Sequence, residues 1–221
     1  AQLISWVVSA ITFGTVIMFG CIGETINQKA GNLNLGVPGI MQLGGIGALT
    51  GAFIYESSTA TPNGTIGMLC ALLCAILASA LGSLIYSFLT VTLKANQNVT
   101  GLTLTIFGTG IANFFGGSLM KLSGGVGSIS VATTANVFKL RLPFISGKLG
   151  LFGSLFLNYG WMAYFCLILA FVANYFLTKT RTGLNLRAVG ENPATADAAG
   201  INVTKYKYLA SIIGGAICGL G

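Results

Sequence analysis

The sequence predicts an all-α, polytopic transmembrane helix bundle, and three observations carry that prediction. Of the 221 residues, 54% are hydrophobic and 7% are charged, whereas a soluble domain typically carries about 25% charged residues. Several apolar runs reach the length of about 18 residues that a helix needs to cross a bilayer. The chain also holds 32 glycines, and glycine lets transmembrane helices approach each other closely. A soluble helical core is the alternative, and apolar runs of this length argue against it.

We expect a single transmembrane domain over residues 1–221. Its predicted spans lie near residues 3–23, 33–54, 65–93, 101–119, 158–178 and 208–221. The last span has fourteen residues, which is about 21 Å of helix and too short for about 30 Å of hydrocarbon. Because that span is incomplete and the chain starts without methionine, we expect residues missing from both ends. The weakly apolar stretch 120–157 is too long for a simple turn, and we interpret it as a surface connector.

The second span contains the signals for a broken or re-entrant helix. Residues 31–54 carry seven glycines and Pro38, which disfavour a continuous helix. Broken backbone at membrane depth persists only against protein or a water-filled cavity, where its polar groups can meet solutes. The alternative is that the glycines allow tight helix packing, with Gly47 and Gly51 four residues apart. We predict a translocation pathway that is lined by uncharged residues of this span and of the fourth: Asn32, Asn34, Gly36, Met41, Gln42, Asn98 and Asn113.

A polar loop at residues 179–207 separates the fifth and sixth spans. It holds seven of the fifteen charged residues in the sequence. With this loop in the cytoplasm, alternation of the spans places seven basic residues inside and four outside, which agrees with the positive-inside rule. Within the loop, NPATADAAG predicts a short helix that is capped by Asn192, begins at Pro193 and stops at Gly200. A solvated loop with an ordinary cap is the alternative on physical grounds.

Composition excludes several other classes of site. The basic residues are spread over several loops without aromatic residues between them, so we predict no nucleic-acid binding. With no histidine among 221 residues and no clustered cysteines, we predict no metal site. The five cysteines are an odd number and lie in apolar segments, which argues against a disulfide framework.

Two stretches of the sequence resemble a known family. LRAVGENPATADAAGINV is similar to the cytoplasmic coupling segment of bacterial ABC importer permeases for branched-chain amino acids, simple sugars or nucleosides. GETINQKAGNLNLGVPGIM resembles the early pathway segment of the same permeases. Together with TRTGLNLRAVGENP, it is closest to the nucleoside and simple-sugar branch, which works with basic-membrane-protein-type lipoproteins. The chain departs from that pattern at Pro38 and Ile40, where relatives often show an acidic residue within a GVEGMM-like run.

The resemblance implies a multi-pass permease subunit of the bacterial plasma membrane, not an enzyme. Its implied partners are two ABC ATPase subunits, a second permease chain, an extracytoplasmic solute-binding lipoprotein and the lipid bilayer. ATP and Mg would bind to the ATPase, in keeping with the lack of a P-loop pattern in this chain. The residues implied to touch the ATPase are Arg187, Glu191, Asn192, Pro193, Asp197 and Gly200.

The predicted pathway also indicates the kind of solute. Segments 31–47 and 96–113 hold no ionisable side chain, whereas ion-coupled carriers usually place one inside the membrane. We therefore predict ATP-driven import of a neutral polar solute, with nucleosides first. The alternatives are a simple-sugar or branched-chain amino acid permease, and then an ion-coupled secondary transporter or channel. A membrane enzyme is least favoured, because the chain has no histidine and only four acidic residues.

Overall fold

The structure is a computed structural model that describes residues 2–59, 61–122, 131–138 and 159–221, with residues 2–5 described by their backbone alone. Most of the predicted connector 120–157 lies outside these residues. The described helices are, in chain order, α1 (Gln2–Lys29), α2 (Val37–Ser58), α3 (Gly64–Ser87), α4 (Gln97–Leu122), α5 (Ala132–Phe138), α6 (Trp161–Lys179), α7 (Arg181–Glu191), α8 (Pro193–Ala198) and α9 (Val203–Leu220).

The predicted all-α transmembrane bundle is confirmed. Among the described helices, five are long and apolar enough to cross a membrane: Trp6–Lys29, Val37–Ser58, Gly64–Thr92, Gln97–Lys121 and Trp161–Lys179. The third of these joins α3 to a π-helical turn at Phe88–Thr92, and it matches the long helix predicted at 65–93. Helix α9 has 18 residues, and one of its faces packs against α1, α2 and α3.

The helices alternate in direction between two ends of the bundle. At one end, the link between α1 and α2 contacts the first turns of α4 and α9, through Gln97 and Lys207 respectively. We call this the α7 end, because α7 and α8 also lie there. At the other end, the last turn of α2 contacts α5 through Glu56 and Thr134. We call this the α5 end.

The glycines of the second span serve helix packing. The prediction that they break the helix is wrong beyond Gly36, because α2 runs without interruption from Val37 to Ser58. A Cβ atom on Gly44 would lie 2.6 Å from Cα of Gly219 on α9, and one on Gly47 would lie 2.8 Å from a backbone oxygen of α3. Only glycine permits such close approach of two backbones. The non-helical backbone is confined to residues 30–36, which we call the link segment.

The carboxylate of Glu56 bonds to α5, which also packs against α3. Oε1 of Glu56 accepts hydrogen bonds from the backbone N of Thr134 at 2.8 Å and from its Oγ1 at 2.7 Å. Thr134 is 3% exposed, and it lies in the first turn of α5, where an anion is favoured. Glu56 therefore ties α2 to α5 across 78 positions of the sequence.

Glu56→Gln should loosen α5 without disturbing the rest of the bundle. The amide keeps one acceptor oxygen but loses the charge that strengthens both hydrogen bonds, a loss of about 1 kcal/mol. We expect hydrogen exchange at the amides of residues 134–138 to accelerate about fivefold. Ser57→Ala is the matched control, because the Ser57 hydroxyl bonds only to Ile54 O within its own helix. Equal exchange in both variants would contradict the proposed role of Glu56.

Candidate functional site

Helix α7 begins at a tight turn after α6. Thr180 Oγ1 donates to Phe176 O at 2.6 Å and accepts from the backbone N of Gly183 at 3.0 Å, so it ends α6 and caps α7. A side chain at Gly183 would meet Leu177 Cα at 2.8 Å, which explains the glycine. Leu186 on the buried face of α7 then joins an apolar cluster with residues of α1, α6 and α9. This packing fixes α7 against the transmembrane helices.

Helix α8 has the start and the stop that the sequence predicts. Asn192 Oδ1 accepts from Thr195 N at 3.1 Å, and Pro193 occupies the first helical position. Gly200 follows the helix with a φ of +80°, a conformation that glycine adopts without strain. Its N donates to Asp197 O at 2.9 Å, and Ile201 N donates to Ala196 O at 3.0 Å, which is a Schellman ending.

The outer face of α7 and α8 carries exposed charge. Arg187 and Glu191 form an i,i+4 pair at 3.9 Å, and their side chains are 40% and 77% exposed. An ion pair this exposed contributes little to stability, so both groups are available to a partner. Asp197 is also exposed and lines a cavity of about 670 Å³ with Pro193 and Ala194.

The last turn of α7 rests directly on the link segment. A Cβ atom on Gly190 would lie 3.0 Å from the backbone N of Gly31. Gly31 itself has a φ of +80°, and its own Cβ would lie 3.2 Å from Gly190 Cα. Two glycines therefore allow backbone to touch backbone where α7 meets the end of α1.

A buried polar chain fastens the link segment to α9. Asn32 Nδ2 donates to Ser211 Oγ at 3.1 Å and to Lys207 O at 3.3 Å. Ser211 Oγ in turn donates to Asn27 Oδ1 at 2.7 Å. Asn27, Asn32 and Ser211 are each 3% exposed or less. Because such groups have no water to replace a lost partner, the buried polar chain holds α1, the link segment and α9 in one arrangement.

Side chains from α1, α3 and α4 satisfy the link backbone. Tyr86 Oη donates to Leu33 O at 2.7 Å, and Leu33 N donates to Gln97 Oε1 at 2.8 Å. Asn34 N donates to Glu24 Oε1 at 3.0 Å. The broken-helix interpretation leaves these backbone groups free to bond to a solute. In the structure they are bonded to side chains of the protein instead.

The predicted pathway residues fall into two sets. Asn32, Asn34 and Gly36 lie together in the link segment, where Asn34 Oδ1 accepts from Gly36 N at 2.8 Å. Met41 lines a neighbouring cavity of about 480 Å³ between α1 and α2. The other set is exposed and separate, with one residue on α2 and two on α4: Gln42, Asn98 and Asn113. The two on α4 are about 22 Å apart along the helix axis.

Sequence reasoning missed the groups that bond to the link segment. Glu24 lies seven residues before the predicted pathway, and it lines the same cavity as Met41. Asn27 and Ser211 are polar residues in apolar helices, and that contrast is the signal that could have found them. Asn32 Oδ1 is buried without a hydrogen-bond partner. Within the described ranges, no three His, Cys, Asp or Glu side chains are grouped to hold a metal ion.

Three of the curated proteins that are similar to this chain are named as ABC transporter permeases. The first is the "Putative glucose ABC transporter permease protein TsgC13" of Haloferax volcanii, 33% identical over 96% of this chain and 59% of the relative. The second is the nucleoside ABC transporter permease NupC of Lactococcus lactis, 28% identical over 97% of this chain and 65% of the relative. The third is the guanosine ABC transporter permease NupQ of Bacillus subtilis, 28% identical over 100% of this chain and 66% of the relative.

These comparisons settle the family. The chain spans 59% to 66% of the length of those three relatives, and no solved structure matches it. A family model described as the permease component of the branched-chain amino acid transport system matches residues 6–221. The resemblance to nucleoside and simple-sugar permeases is confirmed by the relatives. This chain belongs to the family of branched-chain amino acid transport system permease components and is a multi-pass protein of the plasma membrane.

Proposed function

We propose that the chain is the permease subunit of an ATP-driven importer for a neutral polar solute, with nucleosides first. The observation that carries this proposal is the contact between α7 and the link segment at Gly190 and Gly31. A force applied to α8 would reach the transmembrane helices through this contact. Because the family consists of transport components, that force is best assigned to a separate ATPase.

The relatives support a nucleoside or a sugar as the solute. Two of them are named as nucleoside and guanosine permeases, and the third as a putative glucose permease. Nucleosides and sugars are both neutral and rich in hydroxyl groups. The amide side chains near the link segment, such as Gln28 beside the cavity of Met41, can bond to hydroxyls without requiring a charge on the solute. Simple sugars are therefore the second candidate.

The proposed orientation places the α7 end in the cytoplasm. Lys29 and Lys179 end their helices on that side of the bundle, Lys94 lies just beyond Thr92, and Lys205 lies in the first turn of α9. This excess of basic residues follows the positive-inside rule. The ATPase would then dock at Glu191, Pro193 and Asp197. A second permease chain would complete the pathway, and a solute-binding lipoprotein would deliver the solute at the α5 end.

Copurification and uptake test this function together. The complete protein from native membranes should retain a P-loop ATPase, and Glu191→Lys or Pro193→Gly should weaken that association severalfold. Lys121→Glu is the control, since it reverses an exposed charge at the end of α4 that lies on the opposite side. In vesicles that also contain the second permease chain and the solute-binding lipoprotein, labelled guanosine should enter only with the ATPase, ATP and Mg, and excess glucose should not compete.

Each alternative gives a different result in the same experiments. Recovery of no ATPase, together with uptake by the purified chain alone, would favour an ion-coupled carrier or channel. Uptake that glucose blocks and guanosine does not would keep the importer but replace the nucleoside with a sugar. Identical ATPase recovery from Glu191→Lys and the wild type would contradict the proposed docking face.

A further inference from the structure

An apolar groove runs along the outside of the bundle between α6, α7 and α9. Its volume is about 500 Å³. Its walls are large aliphatic and aromatic side chains of α6 and α9, namely Leu169, Val172, Phe176, Leu209, Ile213 and Ile217. Polar atoms are confined to its opening at the α7 end, where Thr182, Lys205 and Tyr206 line it. The groove is therefore amphipathic along its length.

The opening of the groove carries uncompensated positive charge. Lys205 is exposed, as are Lys179 and Arg181 at the neighbouring junction of α6 and α7. In the part of the chain that the structure describes, the one ion pair joins Arg187 to Glu191. No described acidic group therefore neutralises Lys205. An apolar helix seated in the groove would leave that cation without a counter-charge, whereas an anionic ligand would supply one.

The length of the groove along α9 matches the thickness of one leaflet of a bilayer. On α9 it extends from Lys205 to Ile217, twelve residues or about 18 Å of helix. Half of the hydrocarbon core is about 15 Å thick. With Lys205 at the membrane surface, the apolar walls reach to the bilayer midplane. The groove thus has the length and the polarity of a single lipid molecule in the leaflet on the α7 side.

We propose that this groove is a binding site for an anionic phospholipid. The phosphate would bond to Lys205 Nζ, and one acyl chain would lie between α6 and α9. Basic pockets between helices on the cytoplasmic side bind anionic head groups through the same chemistry. The orientation proposed above makes this the cytoplasmic leaflet, which is rich in anionic lipids. The bound lipid would brace α7 against α6 and α9 at the point where both leave the membrane.

Lipid retention by the complete protein tests this site without any transport assay. Protein in nanodiscs of equal phosphatidylglycerol and phosphatidylcholine is transferred to detergent, and the lipid that remains bound is measured by native mass spectrometry. We expect one retained phosphatidylglycerol, with about fivefold less in Lys205→Gln, because one basic side chain contributes about that factor. Lys207→Gln is the matched control, since Lys207 lies on the same helix and does not line the groove.

A second variant tests the acyl chain separately from the head group. Ile213 is 47% exposed, so Ile213→Trp should fold normally, fill the groove and lower retention although Lys205 is intact. Equal retention in Lys205→Gln and Lys207→Gln would overturn the proposal. So would complete displacement of the lipid by millimolar inorganic phosphate, which would indicate a site for a free anion. Wild-type protein that retains no phosphatidylglycerol would show that another part of the protein, or a second copy, covers the groove.

Discussion

Gly190→Val should reduce ATP-driven uptake at least tenfold while the protein still reaches the membrane. The Cβ atom would lie 3.0 Å from Gly31 N, and the atoms it meets are backbone that cannot rotate away. Overpacking of this kind typically costs about 1–3 kcal/mol, and α7 would have to move off the link segment to relieve it. ATP hydrolysis by the partner should persist, because the docking residues Glu191, Pro193 and Asp197 keep their side chains. The measurement is solute uptake per ATP hydrolysed in reconstituted vesicles.

A glycine without close neighbours provides the control for this variant. Gly110 lies on α4, and a Cβ atom there would have nothing within 4 Å. Gly110→Val should therefore retain wild-type uptake per ATP. If Gly190→Val matched Gly110→Val in that ratio, the contact between α7 and the link segment would carry no motion, and the proposed route of transmission would be wrong.

Asn27→Ala should be the most destabilising change in the buried polar chain, at about 2 kcal/mol. It removes the acceptor of the Ser211 hydroxyl and also the Nδ2 donor that bonds Glu24 Oε2 at 3.3 Å. Buried polar groups that lose a partner typically cost about 1–3 kcal/mol. Ser211→Ala should cost about 1 kcal/mol, since it breaks the bonds to Asn27 Oδ1 and from Asn32 Nδ2 but leaves Asn32 Nδ2 bonded to Lys207 O.

A double-mutant cycle separates this interaction from general destabilisation. Hydrogen bonds between membrane helices give coupling energies of about 0.6 kcal/mol on average and up to about 1.7 kcal/mol. We expect about 1 kcal/mol between Asn27 and Ser211, measured by reversible unfolding in detergent. Thr12→Ala on α1 is the control partner for Asn27→Ala, because the Thr12 hydroxyl bonds only to Val8 O of its own helix. Additive effects for Asn27 and Ser211 would contradict the coupling.

Features that depend on local sequence were predictable. The long apolar runs indicate helices, because hydrocarbon requires every backbone group to bond within its own helix. The start of α8 at Asn192 and Pro193 and its stop at Gly200 follow from side chains within a few residues. The glycines of α2 led to a wrong prediction. In an isolated helix glycine favours a break, whereas between packed helices it permits a continuous helix with close backbone contacts. The partner backbones of α3, α4 and α9 decide between them.

Features that depend on distant residues were not predictable. The bond between Asn32 and Ser211 joins positions 179 residues apart, and no local pattern relates them. The contact of Gly190 with Gly31 likewise needs the packing of α7 on α1 to be known. The predicted broken segment, residues 31–54, includes the non-helical residues 31–36, but their polar atoms could not be assigned to the protein or to a solute without the positions of Tyr86, Gln97 and Glu24.

Site-directed cross-linking tests the proposed contact between α8 and an ATPase most directly. Ala194 is exposed on α8, and Ser57 is exposed at the opposite end of the bundle. Each is replaced by cysteine in a Cys21→Ser background, which removes the native cysteine that is exposed. A cysteine-to-lysine cross-linker is then applied to membranes. We expect a covalent adduct of Ala194→Cys with a P-loop ATPase and none for Ser57→Cys. No adduct at Ala194→Cys, or an equal adduct at Ser57→Cys, would contradict the proposed contact.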